Sequence, residues 1–295
     1  MDKNQTFTIN QKSSGKYFTL MIMLYVLITF VGQIILGAIK VEGVVYYAIS
    51  STFSLLSLVA VIIYALKDNK ENSPALLSVN KFSIKYIILA IMLFLGMFLG
   101  FGFVNSAFVN LLNYLGVSIN GASVPLNNTF ELILFIVLLA VLPAVIEELF
   151  FRGIILSLLK DLSIIPLAIT IGLCFSLYHC SFTQLVYQFI YGFSLTLLAL
   201  SAKSVIPSII THLLNNLTVI LLEYFNVYID LFNPITILLG LVFLALFFVF
   251  IIKDIIKEQS DNNKKEKQGL KGFYLYASFG IIICAVLLIS SLFGG

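Results

Sequence analysis

The sequence predicts an all-α protein built as a polytopic bundle of transmembrane helices. Hydrophobic residues make up 60% of the 295 positions and charged residues only 11%, whereas soluble domains carry roughly 25% charged residues. Several apolar runs reach the roughly 20 residues that a helix needs to cross a bilayer. None shows the alternation of period two that a membrane strand requires. The small net charge of +3 gives no indication of a nucleic-acid partner.

Nine apolar runs are candidate spans, although eight spans remain possible. They are residues 17–39, 44–66, 84–112, 129–159, 164–180, 182–202, 205–224, 234–256 and 273–293. The third run contains three glycines, and the fifth is the shortest. The fifth and sixth runs have almost no linker between them, which predicts a tight turn near Cys180.

The basic residues predict how the bundle is oriented in a cell membrane. If the amino terminus is cytoplasmic, 15 of the 17 Lys and Arg residues lie in inner segments. Only Lys40 lies in an outer segment, and Arg152 lies inside the fourth run. This asymmetry follows the positive-inside rule, and with nine spans it predicts a cytoplasmic amino terminus and an external carboxyl terminus.

The fourth run contains the most informative stretch of the chain. Glu147, Glu148 and Arg152 are the only ionisable residues between Leu132 and Leu159. A charge at the bilayer centre costs at least about 2.5–3.5 kcal/mol, so these groups must be paired or functional. Glu148 and Arg152 are four residues apart and suit an intrahelical ion pair. Glu147 points about 100° away from Glu148 around the helix and lacks a local partner.

Both histidines of the chain lie in other apolar runs, each with a neighbour on the same helix face. Phe175 lies one turn before His179, and Asn216 lies one turn after His212. If the fourth and fifth runs form an antiparallel hairpin, Glu147 and His179 lie at the same depth. Packing alone would explain either histidine. Their convergence with a carboxylate and a carboxamide favours hydrolysis, because a carboxylate and an imidazole can activate water and N–H donors can stabilise an oxyanion.

In order along the chain, these pieces resemble the CAAX protease and bacteriocin-processing family of intramembrane proteases, also called the CPBP or Abi family. The family pattern is Glu-Glu-x-x-x-Arg, Phe-x-x-x-His and His-x-x-x-Asn or Asp. The sequence matches it with Glu147-Glu148-Leu-Phe-Phe-Arg152, Phe175-Ser-Leu-Tyr-His179 and His212-Leu-Leu-Asn-Asn216. This divides the chain into amino-terminal helices (1–128), a catalytic core in helices 4–7 (129–228) and carboxyl-terminal helices with a basic loop (229–295).

The resemblance implies a peptide-bond hydrolase within the membrane. By analogy, Glu147 activates water together with His179, while His212 and Asn216 form the oxyanion site. Glu148, Arg152 and Phe175 are expected to support the site. Asn215 is expected to be structural or to face lipid.

Two mechanisms remain open for such a site. The family has been labelled as metalloproteases, and Glu147, His179 and His212 are the residues that would hold zinc. Zinc sites usually offer three protein ligands at known spacings, and no HExxH pair occurs in the sequence. Water activated by glutamate, with no required cofactor, is therefore the preferred mechanism.

The expected partners are a peptide or membrane-protein substrate and the lipid bilayer, with the oligomeric state undetermined. Eukaryotic family members cleave prenylated carboxyl termini, whereas bacterial members are linked to peptide maturation, bacteriocin immunity and cell-surface functions. The excess of Lys over Arg and the many Ile, Asn and Phe residues favour a bacterial role. We expect substrates to reach the site from the cytoplasmic leaflet. The alternative is a non-catalytic immunity or scaffold protein of the same family.

Overall fold

The computed structural model describes residues 3–70, 73–116, 126, 128–159, 162–261 and 270–292. These residues form helices and connecting turns with no strand, which confirms the all-α fold class. The helices are α1 (Lys3–Ala38), α2 (Gly43–Asp68), α3 (Lys85–Tyr114), α4 (Thr129–Leu159), α5 (Ile164–Tyr178), α6 (Leu185–Ala202), α7 (Ile206–Tyr224), α8 (Pro234–Asp261) and α9 (Lys271–Ser290). A single helical turn, Ser73–Leu76, lies between α2 and α3.

Within the described ranges, eight helices are long and apolar enough to cross a membrane. The exception is α5, whose 15 residues extend about 22 Å at the helical rise of about 1.5 Å per residue. A hydrocarbon core is about 30 Å thick. Of the two counts that the sequence allowed, eight is therefore the one that the described helices support. The apolar run continues to Cys180, but the helix ends at Tyr178.

The short helix α5 packs against α6 as an antiparallel hairpin. The two helices of this hairpin approach closely at Gly172, since a Cβ there would lie 2.8 Å from the backbone nitrogen of Phe193. Next to the connecting turn, the Ser176 hydroxyl donates to the Leu185 carbonyl at 2.6 Å. The two helix ends next to the turn are therefore joined, and the other ends of α5 and α6 lie at the same edge of the bundle.

The linker between α2 and α3 marks that edge. The backbone N–H of Val205, at the start of α7, donates to the Ser78 carbonyl at 3.0 Å. The Ser78 hydroxyl is also 2.8 Å from the hydroxyl of Ser157, near the end of α4. Lys203 and the lysines of the linker thus belong to one side of the bundle, which we call the lysine-rich edge. The opposite side, where α2 and α4 begin and α7 ends, is the lysine-poor edge.

Helix α4 is irregular on both sides of its charged turn. It begins with a side-chain cap, in which Asn128 accepts from the backbone N–H of Glu131 at 3.0 Å. π-helical segments at Ile136–Val141 and Leu149–Ile155 flank the α-helical segment Leu142–Glu148. Pro143 has no backbone N–H to donate to the regular ladder of helical hydrogen bonds. Such π segments occur often at functional sites, and the sequence pattern did not predict them.

The flanking helices pack in two groups around α4–α7. On one side, α1 lies between α2 and α9, and the Gly272 N–H donates to the Gln11 side chain at 2.9 Å. On the other side, α3 crosses α8 at two glycines. A Cβ on Gly240 would overlap the backbone nitrogen of Gly100, so the two helix backbones touch there.

We expect Gly240→Leu to destabilise the protein, because its side chain would force α3 and α8 apart. Overpacking costs typically about 1–3 kcal/mol. The matched control is Gly37→Leu, whose Cβ would meet nothing within 4 Å. Thermal unfolding in detergent should show a lower midpoint for Gly240→Leu and an unchanged or higher one for Gly37→Leu. Equal midpoints would contradict the contact between α3 and α8.

Candidate active site

Glu147 and His179 come together where α4 passes the end of α5. The Oε2 atom of Glu147 lies 4.0 Å from Nε2 of His179, and their side chains are 8% and 18% exposed. The Nδ1 atom of His179 lies 2.8 Å from the Phe175 carbonyl oxygen. Because a carbonyl only accepts, Nδ1 carries the proton of the neutral ring. The unprotonated Nε2 is then the nitrogen nearest the carboxylate.

Glu148 faces the opposite way and connects α4 to α7. Its Oε1 atom accepts from Nη1 of Arg152 at 2.8 Å and contacts Nδ1 of His212 at 3.1 Å. The side chains of Glu148 and Arg152 are both fully buried. The structure therefore contains the ion pair expected from the spacing of four. The contact with His212 was not predicted, because residue spacing within one helix does not show which helix lies opposite.

Arg152 extends the same group of contacts to α5 and α6. Its Nη2 atom donates to the Gly192 carbonyl at 2.8 Å. Its guanidinium carbon lies 4.4 Å from the centroid of the Phe175 ring. That ring also packs edge-on against His179 and His212, with centroid distances of 4.8 and 5.9 Å. Phe175 thus lies between the arginine and both imidazoles.

Asn216 is held by hydrogen bonds that involve two residues not expected at the site. Its Nδ2 atom donates to the Leu139 carbonyl at 3.2 Å. Pro143, four residues after Leu139, has no N–H to donate to that carbonyl. The amide of Asn215 donates to Asn216 Oδ1 at 3.2 Å, and the Tyr187 hydroxyl donates to Asn215 Oδ1 at 2.9 Å. Only the adjacency of Asn215 to Asn216 was a sequence signal, and nothing marked Tyr187.

A cavity of about 1020 Å³ contains the predicted catalytic residues in its wall. Glu147, His179, His212 and Asn216 all line it. Glu148, Arg152 and Phe175 do not line it, and they are buried completely. The structure therefore separates two layers, with four residues in contact with the cavity and three behind them.

The cavity extends from these residues towards the lysine-poor edge. On α4 its lining stops at Glu147, and on α7 it begins at His212 and continues to Glu223. On the other side of Glu147, Phe150, Phe151 and Ile154 fill the core and are fully buried. We expected access from the cytoplasmic leaflet, on the lysine-rich side. The cavity runs the other way, because large apolar side chains occupy the space between the site and the lysine-rich edge.

Glu147, His179 and His212 are the residues that would hold zinc if the protein uses a metal. Among the described residues, no group of three or more His, Cys, Asp or Glu side chains is arranged to hold a metal ion. Glu147, His179 and His212 share the cavity, but the Nδ1 atom of His212 is engaged by Glu148.

Comparison with known families identifies the segment that carries the site. The model of a family described as type II CAAX prenyl endopeptidase, Rce1-like, matches residues 129–218. We call this matched segment, which is less than a third of the chain, the CAAX protease core after the family model. This core begins at the first residue of α4, ends within α7 and includes all seven residues of the two layers. The resemblance to this family of intramembrane proteases is thereby confirmed.

Further comparisons add no other relative. A search of the curated proteins and a search of the solved structures gave no match. Helices α1–α3, α8 and α9 lie outside the CAAX protease core.

We expect Arg152→Met to destabilise the CAAX protease core strongly, because it leaves the Glu148 carboxylate buried without its cation. Removing one partner of a buried pair costs about 3–5 kcal/mol. The matched control is Lys85→Met, which breaks a pair with Asp254 whose side chains are 50% and 25% exposed. Exposed pairs contribute at most about 1 kcal/mol.

Thermal unfolding of both variants in the same detergent measures this difference. The midpoint should fall far more for Arg152→Met than for Lys85→Met. Similar losses would show that the buried pair does not hold the core together.

Proposed function

We propose that this protein is an intramembrane endopeptidase that hydrolyses peptide bonds with a water activated by Glu147 and His179. The supporting observation is the separation of two adjacent carboxylates. Glu148 is tied to Arg152 and His212 behind the cavity, whereas Glu147 lines the cavity 4.0 Å from His179. Buried Glu147 Oε2 has no hydrogen-bond partner among the described residues, which leaves it able to accept a proton from water.

In the proposed reaction, water binds beside the Glu147 carboxylate and Nε2 of His179. Glu147 takes a proton from the water as its oxygen attacks the carbonyl carbon of the substrate. A tetrahedral intermediate forms, and its carbon–nitrogen bond then breaks. The proton held by the site passes to the leaving amine nitrogen. His179 presents an unprotonated Nε2 because its Nδ1 donates to the Phe175 carbonyl.

His212 and Asn216 are the proposed oxyanion donors. Asn216 uses Nδ2 to bond the Leu139 carbonyl, and a carboxamide nitrogen has a second N–H for the substrate. His212 directs Nδ1 at Glu148, so donation from Nε2 requires a doubly protonated ring. Donors fixed in a low-dielectric site stabilise developing negative charge more strongly than water does.

We further propose that the lysine-rich edge faces the cytoplasm, with the amino terminus on that side. This orientation follows the distribution of lysines. The cavity would then open towards the outer side of the membrane. The matched family is described by its action on prenylated CAAX proteins. Composition instead favours a bacterial role in peptide maturation, bacteriocin immunity or cell-surface function.

We expect Glu147→Gln to abolish proteolysis, because the amide cannot accept the proton from water. Loss of a general base typically lowers the rate by about 10²–10⁴-fold. The matched control is Glu131→Gln, an identical change at the start of the same helix and outside the cavity. A deletion strain would be complemented with the wild type or with either variant, and its membrane and secreted peptides compared by mass spectrometry.

Cleavage products should appear with the wild type and Glu131→Gln and be missing with Glu147→Gln at equal expression. If Glu147→Gln restores both the products and the cellular phenotype, the chain does not use this carboxylate as a base. Restoration of the phenotype alone would favour the non-catalytic immunity or scaffold role.

Chelation distinguishes the two open mechanisms. We expect purified protein to cleave its substrate peptides at an unchanged rate after 1,10-phenanthroline treatment and desalting, because Glu147 and His179 activate water without a metal. Activity lost on chelation and restored by added zinc would instead establish a metalloprotease.

A further inference from the structure

The part of the cavity wall that the described residues form carries acidic groups and no Lys or Arg. Its carboxylates are Glu147 at the inner end and Glu223 towards the lysine-poor edge. Arg152 lies behind the wall and is bonded to Glu148 and to the Gly192 carbonyl. Among the described lining residues, only the two histidines of the site can become positive. This part of the wall therefore has no permanent cation that would hold an anion.

The polar lining on the other helices includes hydrogen-bond acceptors as well as amide and tyrosine donors. On α2, Ser50, Ser51 and Ser54 line the cavity and donate their hydroxyl protons to backbone carbonyls three residues earlier. Their oxygens keep only acceptor capacity for a ligand. Gln188 donates its amide to a neighbouring glutamine. Its Oε1 atom and Oδ1 of Asn105 are buried with no partner among the described residues.

Glu223 completes one continuous face of α7. The residues of this helix that line the cavity follow the helical spacing of three and four: His212, Asn215, Asn216, Val219, Ile220 and Glu223. Glu223 is seven positions beyond Asn216, about 10 Å along the helix axis. It is exposed, and no described Lys or Arg forms an ion pair with it. An extended peptide covers this distance in about three residues at roughly 3.3 Å per residue.

We propose that this cavity selects peptides with a lysine or arginine about three to five residues from the scissile bond, and that Glu223 pairs with that side chain. Ammonium and guanidinium groups donate hydrogen bonds and accept none, which complements a wall of acceptors and carboxylates. The upper limit of about five residues between the basic residue and the scissile bond allows for the length of a lysine or arginine side chain. This inference names a substrate class for the proposed protease and rests on that function.

The same wall is poorly matched to a free carboxyl terminus. A terminal carboxylate is held most strongly by a cation, and no Lys or Arg is among the described lining residues. Leu126 adds an apolar side chain to this lining. An internal or amino-terminal basic side chain is therefore the feature that the cavity recognises.

Binding of synthetic peptides to full-length protein tests the charge preference without cleavage. All proteins would carry Glu147→Gln in lipid nanodiscs. The probes would be three acetylated and amidated peptides that differ only in a single Lys, Gln or Glu within an uncharged apolar host. We expect the Lys peptide to bind roughly fivefold more tightly than the Gln peptide. Addition of Glu223→Gln should abolish that preference, and Glu223→Lys should shift it to the Glu peptide.

Glu131→Gln is the matched control and should keep the full preference for the Lys peptide. Equal binding of the three peptides, absence of binding by all of them, or a preference that survives Glu223→Gln would overturn the inference. Tighter binding of a peptide with a free carboxyl terminus than of its amide would also overturn it.

The outcome is separable from that of the proposed function. Cleavage by the wild type without a charge preference would reject the role of Glu223 and leave the protease intact. A charge preference in a wild-type protein that cleaves nothing would reject the protease and leave the recognition of cationic peptides.

Discussion

The buried ion pair between Glu148 and Arg152 is the interaction on which the core depends. Each ion loses several kcal/mol of hydration on burial, so the pair persists only with further polar partners. His212 on α7 and the Gly192 carbonyl on α6 supply them, and the Phe175 ring of α5 lies against the guanidinium. One pair on α4 thereby contacts the three other helices of the CAAX protease core. It also orients His212 and supports Phe175 beneath His179.

The break that Pro143 makes in the hydrogen-bond ladder of α4 concerns Asn216. Pro143 provides no N–H to the Leu139 carbonyl, and Asn216 donates to that carbonyl from α7. The interruption of the helix ladder thus positions a proposed oxyanion donor. The π segments on both sides of Leu142–Glu148 also affect which way the two glutamates point. Side-chain direction, and not residue type, separates the supporting carboxylate from the proposed base.

The position of the cavity determines which molecules can reach these groups. Aromatic and aliphatic side chains fill the core between the site and the lysine-rich edge, whereas serines, amides and Glu223 line the way to the lysine-poor edge. A substrate that enters there meets acceptors before it meets the proposed catalytic groups. Charge and hydrogen-bonding capacity, in addition to apolar area, therefore contribute to the proposed specificity.

The sequence by itself determined the helical membrane class, the i, i+4 pair of Glu148 and Arg152, and the family of the core, because these depend on composition and on spacing within one helix. Hydropathy alone did not show that α5 ends at Tyr178, since an apolar run continues beyond it. Only the tertiary structure decided that His212 meets Glu148, that Tyr187 and Asn215 support Asn216, and that the cavity runs to the lysine-poor edge. These features depend on which helix faces lie opposite one another and on which volumes large side chains fill, and neither is encoded in local periodicity.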